Sequence, residues 1–302
     1  MKIGNPESLK NQIIELKAEL AARESDLLTY RQKLDEANLR IGDLIEQMEQ
    51  QLQILGLIQK ELVPTEYPNI PGFEFSVKFV PSRIAGGDYF DVFDHEDKSR
   101  FGLLMSSASG YGTSALLLSI LLRLSGKMKA RKTGDPAIVV AELAEKLKST
   151  MREGHSCSLF YGAVDRRDFS LSYCLLGKIV ALHYDYAGQR LNRLEPIGSA
   201  LGQVEPSTLK TEKIALNSRD RLIICSTGFL RLKNKDGEYF GEERLFQMIL
   251  DVISKDVHEV RNEILFRATA FIGDIEVPND PTVLVAEVKD RVIKLAKSSP
   301  KK

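Results

Sequence analysis

The chain has 302 residues, with 42 basic and 42 acidic side chains and a formal net charge of zero. This balance argues against a dedicated nucleic-acid binder, because such proteins usually carry a basic excess. A hydrophobic fraction of 43% is too high for a disordered chain. No apolar run approaches the roughly 18 residues of a membrane span. Cys157, Cys174 and Cys225 lack paired metal spacing and predict buried, reduced thiols in a cytoplasmic protein.

The net charge of zero is the sum of three unequal regions. Residues 1–63 carry a net charge of −3, residues 64–288 a net charge of −2, and residues 289–302 a net charge of +5. We predict a coiled-coil dimerisation helix for 1–63, a globular domain for 64–288 and a solvated basic tail for 289–302.

The first region has a heptad pattern. Every seventh residue from Ile13 to Leu62 is apolar, and no proline interrupts residues 9–62. An apolar stripe with a strict spacing of seven over this length is typical of a coiled coil, because an isolated helix would leave the stripe exposed to water. The simplest partner is a second copy, so the pattern predicts a homodimer, with the orientation of the two helices left open. The helix should end at Val63-Pro64, since proline disfavours helix in the residue before it.

The second region alternates between short strands and helices. Residues 73–80, FEFSVKFV, predict a strand with one buried face. Further strands are predicted at 100–106, 158–164, 170–176, 179–184, 221–225 and 282–288, and helices at 113–129, 136–151, 242–253 and 257–272. Because most strands follow one another without a helix between them, we predict an α+β fold in which helices flank antiparallel sheets.

Two glycine-rich turns are the first candidates for chemistry. Gly86-Gly87-Asp88 places Asp88 and Asp91 after a flexible turn, which alone is a weak signal. Ser109-Gly110-Tyr111-Gly112 lacks the Lys-Ser/Thr ending of a phosphate-binding loop. The four histidines are scattered, and each is interpreted as a surface or structural side chain: His95, His155, His183 and His258.

The order of these motifs resembles the SpoIIE-like, or RsbU-like, branch of the PPM-type metal-dependent serine/threonine phosphatases. The resemblance runs from about Ile58 to Glu287 and so covers the region 64–288. The segments that carry it are Gly86-Gly87-Asp88-Tyr89-Phe90-Asp91, Ser109-Gly110-Tyr111-Gly112, Gly198-Ser199-Ala200-Leu201-Gly202, Asp236-Gly237-Glu238-Tyr239-Phe240-Gly241 and Asn279-Asp280-Pro281-Thr282. It implies a sandwich of two antiparallel sheets flanked by helices.

The resemblance also implies a site in which aspartates hold two Mg²⁺ or Mn²⁺ ions and a bridging water attacks the phosphate. In this chain Ser107, Thr227 and Asn279 stand where that family has metal-ligating aspartates. Asp88, with Asp91 beside it, keeps its acidic identity. Two hydroxyls and an amide cannot replace the missing negative charge, so the site positions Asp88, Ser107, Thr227 and Asn279 are interpreted as degenerate, with no metal or other cofactor.

Three functions remain open at this stage. The first is a pseudophosphatase that acts in bacterial signalling by binding proteins, as a scaffold, competitor or allosteric regulator. The alternative is an active protein serine/threonine phosphatase with an atypical Mg²⁺ or Mn²⁺ site built from Asp88, Asp91, Asp280 and Asp94. A third is a structural protein in which the coiled coil is the functional part. By resemblance, the partner would be a phosphorylatable anti-sigma-factor antagonist, and no nucleic acid is expected.

Overall fold

The computed structural model describes residues 6–62, 67–79, 87–109, 133–148, 156–273 and 281–289. The chain divides into two compact units, Met1–Gln51 and Leu52–Lys302. Among the helices described, none combines the length and apolarity that crossing a membrane requires. The helix predicted at 113–129, the residues Asn279 and Asp280, and the tail beyond Lys289 lie outside the described ranges.

The first element is one helix of 57 residues, α1, Pro6–Leu62. It ends directly before Val63-Pro64, at the place that the proline predicts. The large apolar residues of the heptad seam are exposed on it: Ile13, Leu20, Leu27, Leu34, Ile41 and Met48. The long helix is confirmed, whereas its pairing with a second copy stays a prediction.

In the described part of the second unit, ten strands form two five-stranded sheets in which every strand pairing is antiparallel. The first sheet has the order β1 (Phe73–Phe79), β10 (Thr282–Val288), β9 (Arg221–Cys225), β6 (Val180–Asp185) and β7 (Arg190–Arg193). The second has the order β2 (Asp88–Asp94), β3 (Arg100–Ser109), β4 (Ser156–Asp165), β5 (Ser170–Leu176) and β8 (Glu212–Ala215). The predicted α+β sandwich of antiparallel sheets is therefore confirmed.

Three apolar clusters hold these layers together. The central cluster fills the space between the two sheets and includes Phe90, Met105 and Leu284. The outer face of the first sheet packs against helices α3 (Gly241–Val252) and α4 (Val257–Ile272), and that of the second sheet packs against α2 (Pro136–Lys148). Successive side chains of a strand point to opposite faces, and in these sheets both faces carry apolar side chains. Each sheet therefore packs against the other sheet on one face and against helices on the other.

Strand β2 was not predicted. Its sequence, DYFDVFD, carries Asp88, Asp91 and Asp94, and aspartate is depleted in strands. The strand forms because β3 pairs with it over its whole length and because Tyr89, Phe90, Val92 and Phe93 are buried. The short strands β7 and β8 were also missed, since four exposed or half-exposed residues leave little periodic signal.

A buried carboxylate ties the first sheet to the turn before β9. Asp220 is fully buried and accepts hydrogen bonds from the backbone N–H groups of Asn217 (2.8 Å) and Tyr186 (3.0 Å) and from Nε2 of His183 (3.0 Å). Burial acts to raise the pKa of Asp220, but these hydrogen bonds outweigh it and hold the pKa below its usual value.

We expect Asp220→Asn to lower the free energy of unfolding at pH 7 by about 3 kcal/mol, because an amide cannot accept all of these bonds. Since the pKa is lower in the folded than in the unfolded protein, the stabilisation is present at pH values above about 4 and is lost as the pH falls below it. Urea unfolding of both proteins at pH 7 and at low pH measures this. Asp236→Asn, at an exposed position, is the matched control. An equal loss of unfolding free energy in both variants would contradict the stabilising role of Asp220.

Candidate functional site

Two residues from each sheet meet where the sheets' ends come together. Asp88 begins β2 and is paired in register with Ser107 of β3. Thr227 lies two residues beyond the end of β9, and Thr282 begins β10. Two hydrogen bonds between Ser226 and Thr282 hold the end of β9 against the start of β10. The predicted site residues Asp88, Ser107 and Thr227 are therefore brought together, and Thr282 joins them.

The four side chains form a chain of hydrogen bonds that converges on one carboxylate. Ser107 Oγ donates to Asp88 Oδ1 at 2.6 Å, and Thr282 Oγ1 donates to Asp88 Oδ2 at 2.9 Å. Ser107 Oγ also lies 2.6 Å from Thr227 Oγ1. A hydroxyl has one proton, and that of Ser107 goes to Asp88, so Thr227 donates to Ser107. We call these four residues the hydroxyl–carboxylate cluster.

This cluster stabilises a buried charge. Asp88 is 5% exposed and Thr282 is fully buried. An ionised carboxylate this far from water is costly unless its oxygens accept hydrogen bonds. Each bond from a hydroxyl to a charged oxygen contributes about 1.5–3 kcal/mol. The hydroxyls of Ser107 and Thr282 thus contribute to the stabilisation of the Asp88 carboxylate.

The chemistry of this donor set is poor for hard divalent cations. Among the described residues, the cluster offers one carboxylate and three neutral hydroxyls. Mg²⁺ and Mn²⁺ bind through oxygens of which several are usually anionic. No group of three or more ligating His, Cys, Asp or Glu side chains occurs in the part of the chain that the structure describes. These residues by themselves do not fit a two-metal centre.

The structure does not bring Asp91 or Asp94 to Asp88. Successive side chains of a strand alternate between its faces, so Asp91 lies on the opposite face of β2, where its Oδ2 accepts from the hydroxyl of Tyr89 at 3.0 Å. Asp94 lies at the far end of the strand, roughly 20 Å from Asp88, and its Oδ2 is 3.7 Å from Nζ of Lys98. Asp91 and Asp94 therefore have structural contacts of their own.

The described histidines also have structural partners. The Nε2 atom of buried His95 lies 3.1 Å from the hydroxyl of Tyr161. His183 contacts Asp220, as described above, and Nδ1 of His258 lies 2.9 Å from Ser76 Oγ. None of these contacts reaches the hydroxyl–carboxylate cluster. His155 lies outside the described residues.

The three cysteines are free and buried, as predicted. Burial raises the pKa of the Cys157 thiol to about 12, and the charge of Asp88 adds to the shift. Burial likewise raises the pKa of Cys174 to about 12, with a further contribution from Asp135, and burial also raises the pKa of Cys225. Because only the thiolate is nucleophilic, these groups are chemically inert at neutral pH.

Two features of the site were missed from the sequence. Thr282 is the last residue of the segment Asn279-Asp280-Pro281-Thr282, so the motif itself pointed to it. The other feature is a cavity of about 820 Å³ beside Ser107 and Thr227, with Lys178 and Arg231 in its wall. Its walls come from segments far apart in the sequence, and no local pattern links them.

The described fold is that of PP2C-like phosphatase domains. The structure is similar to the SiaA-PP2C domain of Pseudomonas aeruginosa, with a TM-score of 0.69 and 19% identity over 81% of this chain and 98% of that one. It is also similar to the RsbU and RsbW domains of Rv1364c from Mycobacterium tuberculosis, with a TM-score of 0.64 and 18% identity over 75% of this chain and 63% of that one. These likenesses establish the fold.

The sequence comparison establishes the family. The family model described as Stage II sporulation protein E (SpoIIE) matches residues 97–289, more than half of the chain. The chain therefore belongs to the SpoIIE family. Protein IcfG of Synechocystis is 22% identical over 237 residues, which is 66% of this chain and 37% of IcfG. This chain thus spans well under half of the length of that relative.

Proposed function

We propose that the protein is a pseudophosphatase of the SpoIIE family that acts in bacterial signalling by binding other proteins. The observation that carries the proposal is the hydroxyl–carboxylate cluster. Ser107 and Thr227 occupy positions at which the resemblance to the PPM-type phosphatases implies aspartates, and Ser107 donates to the carboxylate of Asp88. A lone pair that accepts this proton is not available to a metal ion at the same time.

The charge balance supports the same conclusion. Catalysis by two metals requires ions that polarise the phosphoryl group and lower the pKa of the attacking water. Two dications carry four positive charges, and the presence of Ser107, Thr227 and Asn279 in place of aspartates removes about three of the negative charges that would oppose them. The neutral residues also remove repulsion around Asp88, so the domain is stable without metal.

Binding in this proposal uses both units of the chain. The exposed seam of α1 joins two copies in a homodimer, because the apolar stripe loses its contact with water only in a coiled coil. The phosphatase-like domain binds a regulatory protein, such as a phosphorylatable anti-sigma-factor antagonist, as a scaffold, competitor or allosteric regulator. We place the protein in the cytoplasm, where three free thiols stay reduced.

The test is a measurement of metal binding and turnover on the full chain. We expect isothermal titration calorimetry to show no Mn²⁺ binding at micromolar to millimolar concentrations. We expect hydrolysis of p-nitrophenyl phosphate and of a phosphoserine protein to equal the buffer rate with or without Mn²⁺. The control is Asp88→Ala, which should leave both results unchanged. Mn²⁺-dependent turnover that Asp88→Ala abolishes would establish the alternative, an active phosphatase with an atypical site.

A further inference from the structure

The residues that flank the heptad seam of α1 change in character near residue 41. When the seam residues from Ile13 to Leu62 are assigned position a of the heptad, the flanking positions are e and g. Between residues 17 and 40, seven of the eight flanking residues are charged: Lys17, Glu19, Glu24, Asp26, Arg31, Lys33 and Arg40. Between residues 45 and 59, none of the five is charged, and three are apolar: Ile45, Leu52 and Ile54. We call residues 41–59 the wide-faced segment of α1.

The apolar flanks make the wide-faced segment unlike a two-stranded coiled coil. Charged e and g residues suit such a coil, because these positions stay in contact with water at its margins. Apolar residues at e or g widen the apolar face to roughly 100° or more, as on a helix inside a bundle. Ile45 and Ile54 are 55% and 58% exposed in the single chain. A partner helix on the seam alone would leave both side chains at the edge of the contact, partly in water.

The opposite side of the wide-faced segment carries its charge. Asp43, Glu46 and Glu49 occupy positions c, f and b, on the side of the helix away from the seam, and all three are exposed. The segment contains no lysine or arginine. Carboxylates are stable in water, whereas apolar side chains are stabilised by leaving it. The segment therefore buries its seam and both flanks and leaves the acidic side in solvent.

The two kinds of flank favour a parallel arrangement of the helices in the proposed homodimer. An antiparallel pair that overlaps along its whole length would place Ile45 and Ile54 beside the charged flanks of residues 17–40 in the other copy. A parallel pair in register places the wide-faced segments of both copies side by side. Each side of this pair then shows position e of one copy and position g of the other, so the two sides are identical.

We infer that the wide-faced segment joins two parallel homodimers into a tetramer, through a four-helix bundle formed by residues 41–59 of four copies. In a bundle of four, every helix has a neighbour on each flank, so position e of one helix packs against position g of the next. One added helix would cover one side of the dimer and leave the identical side exposed. Because the charged flanks of residues 17–40 keep that half two-stranded, the bundle contains whole dimers, and two dimers are the smallest such assembly.

Two further features of the segment favour a second copy as the partner. Leu55 at position a and Ile58 at position d form a combination that favours trimers and tetramers over dimers. The flanking residues from 45 to 59 carry no charge, so they neither repel an identical copy nor select a helix of opposite charge. The tetramer rests on the proposed homodimer and extends it.

Sedimentation velocity of the full chain over a range of concentrations tests the inference. We expect the wild type to populate dimers and tetramers, with tetramers dominant at high concentration. Ile45→Glu combined with Ile54→Glu should raise the tetramer-to-dimer dissociation constant at least about a thousandfold and leave the dimer. Ile45→Gln combined with Ile54→Gln removes the apolar side chains without adding charge and should raise it about a hundredfold. Circular dichroism should show the same helix content in all proteins.

Leu28→Glu combined with Leu39→Glu is the matched control. Both leucines are exposed on α1 and lie at positions b and f, away from the seam and its flanks, so the tetramer should be unaffected. A wild type that stays dimeric at high micromolar concentration, or that forms trimers, would overturn the inference and leave the self-association of α1 standing. Flank variants that remain tetrameric, or a control that dissociates as readily, would also overturn it. A monomeric wild type would contradict the proposed homodimer itself.

Discussion

Ser107→Asp is expected to destabilise the metal-free protein by about 3 kcal/mol at pH 7. The wild-type hydroxyl lies 2.6 Å from Asp88 Oδ1 and donates a proton to it. An aspartate there removes this donor and places a second carboxylate against the first at a position that is 5% exposed. Like charges at that distance cannot both ionise without a large cost. The free energy of unfolding in EDTA measures this loss.

Restoring all three carboxylates is expected to have the opposite effect on stability when metal is added. Ser107→Asp combined with Thr227→Asp and Asn279→Asp restores the carboxylates that the resemblance implies for a two-metal site. We expect Mn²⁺ at a hundred times its dissociation constant to stabilise this triple variant by about 2.7 kcal/mol. The denaturation midpoint of the wild type should not change with Mn²⁺, because its hydroxyl–carboxylate cluster offers only one carboxylate.

Ser107→Asn is the matched control for these measurements, since it has the size of aspartate without the charge. If Ser107→Asn and Ser107→Asp destabilise the protein equally, the cost is steric and the electrostatic account of the cluster is wrong. If Mn²⁺ raises the denaturation midpoint of the wild type as much as that of the triple variant, the interpretation of the metal site as degenerate is wrong.

The second large effect is expected in the helix α1. Leu27 and Leu34 are 67% and 62% exposed in the chain, and both belong to the heptad seam. Each leucine buried in a coiled coil contributes about 1.5–3 kcal/mol, and a dimer buries each of them twice. Leu27→Asp combined with Leu34→Asp should therefore raise the dimer dissociation constant by about four orders of magnitude or more. Sedimentation equilibrium of the wild type and the variant measures it.

Leu39→Asp provides a control for the seam. Leu39 is 71% exposed and lies five positions beyond Leu34, on the face of the helix away from the heptad stripe. The same change in charge and size there should leave the dimer intact. A wild-type chain that is monomeric at micromolar concentration, or a control variant that dissociates as readily as the seam variant, would contradict the coiled coil.

Much of the fold follows from local pattern. The strands Ser170–Leu176, Arg221–Cys225 and Thr282–Val288 and the helix Val257–Ile272 have the predicted bounds, since each carries a clear period or apolar run. The order of glycine-rich and acidic motifs along the chain is enough to indicate the SpoIIE family. The local sequence did not predict strand β2, because aspartate is depleted in strands. The strand forms through its pairing with β3.

The site depended on tertiary structure to a larger extent. Chain order marked Asp88, Ser107 and Thr227 as candidates, but it treated Asp91 as a neighbour of Asp88, and alternation along β2 sends Asp91 to the other face. The convergence of Ser107 and Thr282 on Asp88, and the meeting of Lys178 and Arg231 at one cavity, depend on contacts between segments distant in sequence. Periodicity reports the face on which a residue lies, whereas the sheet registers and the packing of the two sheets decide which residues from distant strands meet.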